Sequence, residues 1–342
     1  MEGGSAVIAD VESMDSVGPG RDMDVRAYVY LAMMVVIGSS TAPAAKFAVR
    51  ELPAGLLPLI RFGVAGLCLL PVVGWRTGGL WRMVREDGWR LALAGALCVP
   101  VNQSFFLNGA RLAPTSHVAL IYAACPLVVL LLAWALGQER WVPARLVGVL
   151  ASVAGVAVIG LDSLWRGGAA GQETLQGDFL LVGAVVAWGA YLLSSKSLIA
   201  KHGPLTALAG TFLMGAALHL PLALITMPAW KPLSGASAAA WWGLAYLTLF
   251  VTVVGLGFQN LAMKRLDASE VATFSNASPL LTITWGVWLF GETVTPALVV
   301  GGLLTLGGIL WTTRPTRAGL VSENRRPASA LPRIAPATLP PR

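Results

Sequence analysis

Residues 116–155 read SHVALIYAACPLVVLLLAWALGQERWVPARLVGVLASVAG, and residues 269–308 read SEVATFSNASPLLTITWGVWLFGETVTPALVVGGLLTLGG. At a fixed offset of 153 positions Ser116 meets Ser269, Pro126 meets Pro279, Glu139 meets Glu292, Pro143 meets Pro296 and Gly155 meets Gly308. Ala124, Gly148 and seven further positions are also identical to their mates. The same offset carries Trp89 to Trp242 and Phe105 to Phe258 without a gap. Self-similarity of that length is a duplication, and each copy is one structural unit.

The solvent of that unit follows from composition. Of the 342 residues 56% are hydrophobic and 12% charged, and the mean hydropathy is +0.70. A soluble core cannot absorb that much apolar surface. The apolar residues fall into ten runs of roughly 20, long enough to cross a ~30 Å hydrocarbon layer at ~1.5 Å per residue. Lipid offers no hydrogen-bond partner to a bare peptide group, so each run is expected to be a helix. The spans are expected at 27–47, 55–74, 89–109, 116–136, 143–161, 178–199, 205–227, 239–261, 269–290 and 296–312. The fold class is therefore an all-α integral membrane protein with ten transmembrane helices in two five-helix repeats.

Residues 1–26 carry six acidic side chains and no basic n-region, which reads as a disordered cytoplasmic lead rather than a secretory signal. The repeats occupy 27–161 and 178–312, joined by a polar, glycine-rich outside linker at 162–177. Residues 313–342 form a Pro- and Arg-rich tail expected to stay disordered in the cytoplasm. With the N-terminus inside, eighteen Lys and Arg fall on the cytoplasmic side and four on the other, so the positive-inside rule places both termini in the cytoplasm. Five spans per copy is an odd number, so the second copy enters the membrane upside down. Such repeats can exchange roles in alternating access.

The net charge of +7 is spread over short loops with no aromatic platform, which argues against nucleic acid as a partner. No Gly-x-x-x-x-Gly-Lys-[Ser/Thr] loop is present to hold ATP. His117, His202 and His219 are too widely spaced for a zinc motif, and Cys68, Cys98 and Cys125 lie inside apolar runs. Neither an enzyme, a metal site nor a cofactor is expected.

The chain resembles the EamA family of the drug/metabolite transporter superfamily. The matching residues are Gly38, Ser39, Ser40 and Lys46 in span one, the Arg61-Phe62 pair in span two, and the Ala-Pro-Thr-Ser-His-Val-Ala stretch at 113–119 with Pro126. The Gly-x-Glu to Pro junction at 137–148, its second copy, and Trp188, Gly189 and Lys196 complete the pattern. The resemblance covers about 27–312. It implies a bundle of two inverted five-helix repeats carrying amino acids, other metabolites or drug-like compounds, often outward.

The residues themselves suggest where a solute would sit. Pro126 and Pro279 each remove a ladder bond at the same depth of the two copies, the pattern of a central site built on broken helices. Glu139 and Glu292, just ahead of Pro143 and Pro296, are expected to cap the helices that follow, with gating as the functional alternative. Ser269, Thr273 and Asn276 share one helix face. Their mates Ser116, Leu120 and Ala123 are mostly apolar, so one half of the site is expected to be polar and the other apolar. Ser40, Asn102, Gln103, Tyr122, Trp188, Tyr191 and Thr252 are the further candidates for contact with the solute. Polar side chains of this kind serve either as interhelical glue or as cavity lining. Lys46 and Arg61 either snorkel to the interface or bind a carboxylate, and His219 reads as a hydrogen-bonded bundle residue.

These features point to a secondary transporter in the cytoplasmic (inner) membrane. The alternative is a facilitative channel or a membrane-embedded receptor. The expected partners are a small organic solute and the lipid bilayer. The glycines of spans five and ten leave two readings open, close packing inside the bundle or a homodimer face.

Overall fold

The computed structural model describes residues 25–73, 79–137, 144–226, 235–265 and 278–313. Glu139, Thr273, Asn276 and both tails, including the acidic lead at 1–24, lie outside the described residues. Within them every regular element is helical. Seven helical stretches are long and apolar enough to cross a membrane, and Val147–Ile159, Ser278–Phe290 and Pro296–Gly308 are shorter apolar helices.

Several expected spans are broken, each for a local reason. The first divides at Ser40 into α1 (Val25–Ser39) and α2 (Thr41–Val49). It is followed by α3 (Leu56–Val73). The third runs as α4 (Gly79–Ala96), kinked at a buried Asp87 with φ −130° and ψ 28°, into a π turn at Leu97–Val101 and then α5 (Asn102–Leu112). Pro100 lies in that turn, where its missing N–H and its ring force the ladder to widen. The fourth breaks at Ala124 into α6 (Thr115–Ala123) and α7 (Cys125–Ala135). Pro126 falls in the first turn of α7, where a proline loses nothing.

The stretch expected as a linker, 162–177, is helical. It lies inside α8, which runs unbroken from Ala144 to His202. No proline occurs between Pro143 and Pro204, and an interior glycine costs only about 1 kcal/mol relative to alanine. Nothing in this segment therefore stops a helix once it has started. The chain continues through α9 (Pro204–Ile225), α10 (Ala238–Tyr246), a second π segment at Leu247–Gly255, and α11 (Leu256–Arg265). It closes with α12 (Ser278–Phe290) and α13 (Pro296–Thr313).

The duplication is visible in how mates meet. Ser152 and Thr305, separated by the repeat offset of 153, exchange hydrogen bonds: Ser152 Oγ donates to the Thr305 carbonyl at 3.1 Å and Thr305 Oγ1 to the Ser152 carbonyl at 3.5 Å. Around them Gly155 packs against Gly301 and Gly308 against Gly148, so that α8 and α13 cross antiparallel. A Cβ on Gly155 would lie 2.7 Å from the Thr305 nitrogen, and one on Gly308 would lie 2.7 Å from that of Ser152. Glycine is required at both. On α3 and α9, Gly63 faces its own mate Ala216, a built Cβ standing 3.8 Å from that of Ala216, while Gly66 meets Leu213. These two helices also run antiparallel. Of the two readings of the glycine stripe, Gly148, Gly155, Gly301 and Gly308 are engaged inside the bundle.

Candidate functional site

Five of the elements converge on one buried polar chain. Arg61 on α3 is 5% exposed. Its Nε donates to Thr252 Oγ1 at 2.6 Å and its Nη1 to Gln103 Oε1 at 3.2 Å. Gln103 Nε2 donates to Asn102 Oδ1 at 2.7 Å, and Asn102 Nδ2 donates to the Ala184 carbonyl of α8 at 2.7 Å and to the Tyr122 hydroxyl of α6 at 3.2 Å. The broken helices make this chain. Asn102 and Gln103 open α5 directly after the π turn. Thr252 lies in the second π segment, where its hydroxyl donates to the Leu247 carbonyl five residues back. The guanidinium lies over the Phe62 ring, 5.0 Å from its centroid. Arg61 therefore does not snorkel to an interface. It is held inside the bundle.

Trp188 and Tyr191, with ring centroids 5.0 Å apart, belong to the apolar cluster that holds Phe62, Cys98 and Phe212. Ser40 is placed elsewhere. It bonds the Tyr246 hydroxyl at 2.8 Å and lines a separate cavity of about 460 Å³ with Phe47, Trp242 and Trp285. Leu120, the apolar mate of Thr273, packs with Ile159 and Leu298. The expected split between Ser116, Leu120 and Ala123 and the polar set Ser269, Thr273 and Asn276 falls on a second-copy segment outside the described residues. Arg61, Asn102, Gln103 and Tyr122 all come from the first copy, because the chain forms where π turns and helix breaks free polar groups, not along one regular face.

Glu292 does not cap the helix after it. Its carboxylate accepts from the backbone amides of Thr115 at 2.7 Å and Ser116 at 3.0 Å, the N-terminus of α6, and from Lys46 Nζ at 3.0 Å. The four unpaired amides at the start of any helix make a carboxylate site, and here the acid comes from the other repeat. Burial pushes the Glu292 carboxyl up, but Lys46 and the two amides outweigh it and hold the group below the ordinary range. Nearby, Glu51 performs a similar service for α10, accepting from the Ser237 amide at 2.6 Å and its hydroxyl at 2.7 Å. Pro279 is buried in the first turn of α12.

At the kink in the middle of α4, Asp87 accepts from Lys201 at 2.7 Å and pairs with His202 Nε2 at 2.8 Å, tying the end of α8 to it. Glu86, Asp87 and His202 lie close enough to hold a metal ion, but Lys201 Nζ already stands on both carboxylates. A second buried pair, His117 Nδ1 with Asp178 at 3.0 Å, joins α6 to α8. Neither pair was visible as a constellation in the sequence. Each joins residues far apart in the chain, and the one local signal was a lone acid beside an apolar run.

The profile of the EamA-like transporter family matches residues 25–161 and 175–314, one block for each copy. The chain belongs to the EamA-like transporter family. Accordingly it is a membrane transporter and not an enzyme. A probable terminal-alkyne amino-acid exporter of Streptantibioticus cattleyicolor is 28% identical over 288 residues, covering 84% of this chain and 93% of that one. The aromatic amino acid exporter YddG of Ancylobacter novellus is 26% identical over 79% of this chain and 91% of its own. The threonine/homoserine exporter RhtA of Escherichia coli is 29% identical over 45% of this chain and 50% of its own. A solved crystal structure shares the fold with a TM-score of 0.57 at 23% identity, covering 88% of this chain and 99% of that one.

Proposed function

We propose that this EamA-family member is a secondary carrier that exports a small organic solute across the cytoplasmic membrane. In this reading the two copies are inverted repeats that rock against each other in alternating access. The observation that carries it is the meeting of mates. Ser152 bonds Thr305 and Gly63 faces Ala216 on antiparallel helices, which is what a two-fold axis between inverted copies produces. The polar chain around Arg61 is the solute site in this reading. The break at Ala124, with Pro126 in the first turn after it, brings Tyr122 into it, and Thr273 and Asn276 are the second copy's residues to test beside it. The relatives named as amino-acid exporters make amino acids the compounds to try first, beside other metabolites and drug-like molecules.

Counterflow in proteoliposomes tests the reading. Vesicles loaded with unlabelled solute should accumulate labelled solute transiently and with saturation. Flux that rises linearly with concentration and shows no counterflow identifies a channel, and saturable binding without flux identifies a receptor.

A further inference from the structure

Among the described residues, most buried basic side chains face an acid. Lys46 faces Glu292 at 3.0 Å, His117 faces Asp178 at 3.0 Å and His202 faces Asp87 at 2.8 Å. His219 meets the Gly55 carbonyl and, as a neutral imidazole, needs no counter-charge. Arg61 differs from all of these. It is 5% exposed, and its partners, Thr252 and Gln103, are neutral oxygens. A guanidinium cannot escape by losing its proton. Burying a lone ion is costly, and neutral hydrogen bonds offset only part of that cost.

We propose that Arg61 is the anion-binding residue of the solute site, and that the exported compound carries a carboxylate or a similar planar anion. This rests on the carrier reading above. The guanidinium has five N–H donors in a fixed fork that matches a carboxylate in two parallel bonds. Thr252 and Gln103 take two of the five, which leaves three, one on Nη1 and two on Nη2, for an incoming anion. Asn102 and Tyr122, next in the chain, are neutral and polar and do not repel it. Phe62, beneath the guanidinium, shares its apolar cluster with Tyr191 and Trp188. Lys46 is not the anion site, because Glu292 already occupies it. The consequence is a narrowing: compounds of the right size that carry no carboxylate or similar anionic group are rejected.

The test compares the culture medium of cells overproducing the wild type, Arg61→Lys and Arg61→Gln by untargeted mass spectrometry. Compounds enriched by the wild type should share a carboxylate. Arg61→Gln should lower their export roughly 100-fold, the scale for removing one partner of a buried charged contact, with Arg61→Lys retaining part of it. Where Arg61→Gln fails to reach the membrane, the decision passes to purified wild type. Counterflow should then be supported by an enriched acid and not by its amide. Enrichment of compounds that carry no carboxylate or similar anionic group, equal transport of acid and amide, or full activity in Arg61→Gln overturns the proposal and leaves the carrier reading standing. A medium unchanged by the wild type overturns export itself, and the anion proposal with it.

Discussion

Lys46 and Arg61 are cations on the first two spans of the same repeat, and the fold treats them in opposite ways. Lys46 is held at 3.0 Å from Glu292, which also binds two amides of α6, so three elements from both repeats share one carboxylate. Arg61 is the more deeply buried and is met only by neutral oxygens among the described residues. The difference separates a structural charge from one left available. A charge balanced inside the protein holds elements together, whereas a balanced charge at Arg61 would have nothing to offer a solute.

Removing the acid from the balanced site turns Lys46 into a second isolated cation, and this is the largest effect expected. Glu292→Gln should cost about 3 kcal/mol, the scale for breaking a buried pair from one side. Adding Lys46→Met should recover much of the loss, since the stranded charge goes with it. Thermal unfolding of the purified protein measures both. The pH dependence sharpens the same point. Because the folded-state pKa of Glu292 is depressed below 4.5, its stabilisation is fully present above about pH 4.5. It is lost as pH falls through the lower folded value. Wild-type melting should show that acid step and Glu292→Gln should lack it.

At Arg61 the matching change is loss of a neutral acceptor. Thr252→Val keeps the shape and removes the oxygen that Arg61 Nε bonds at 2.6 Å. The expected cost is about 2 kcal/mol, the range for a hydrogen bond to a charged group. Unlike Glu292→Gln, it should keep the wild-type acid step, since the Glu292 site is untouched. A loss as large as that of Glu292→Gln would mean that Thr252 carries more of the balance of Arg61 than a neutral oxygen should.

The sequence made this comparison possible but could not resolve it. Periodicity and length placed the apolar helices, and the offset of 153 correctly paired Ser152 with Thr305, because a duplication preserves position along the chain. It could not say that Glu292 would serve Thr115 and Ser116 rather than the helix beginning at Pro296. Both are helix N-termini close to the acid, and only packing between repeats chooses between them. Likewise Asn102, Gln103, Tyr122 and Thr252 were legible as polar residues in apolar runs. Their convergence on Arg61 depends on the π turns, which shift a face by a fraction of a turn and defeat regular spacing. The helix through 162–177 was missed for a different reason. Glycine and charge suggest a linker, yet without a proline the helical ladder has no obligatory stop.

The smallest effect is expected at the third cation, Lys201, which is balanced by Asp87 and Glu86 but stays 47% exposed. Asp87→Asn removes one of its anions and leaves Glu86 at 3.0 Å, while the new amide oxygen can still accept from His202. Water can solvate whatever charge is left over, so the melting shift should be smaller than for either change above. It should also shrink further in about 1 M salt, where screening acts within roughly 3 Å. The Glu292→Gln shift should persist in the same salt, because few ions can approach a pair closed in by α2, α6 and the turn before α13. If both shifts fade together, burial is not what distinguishes these cations, and the case for Arg61 as a charge kept in reserve weakens accordingly.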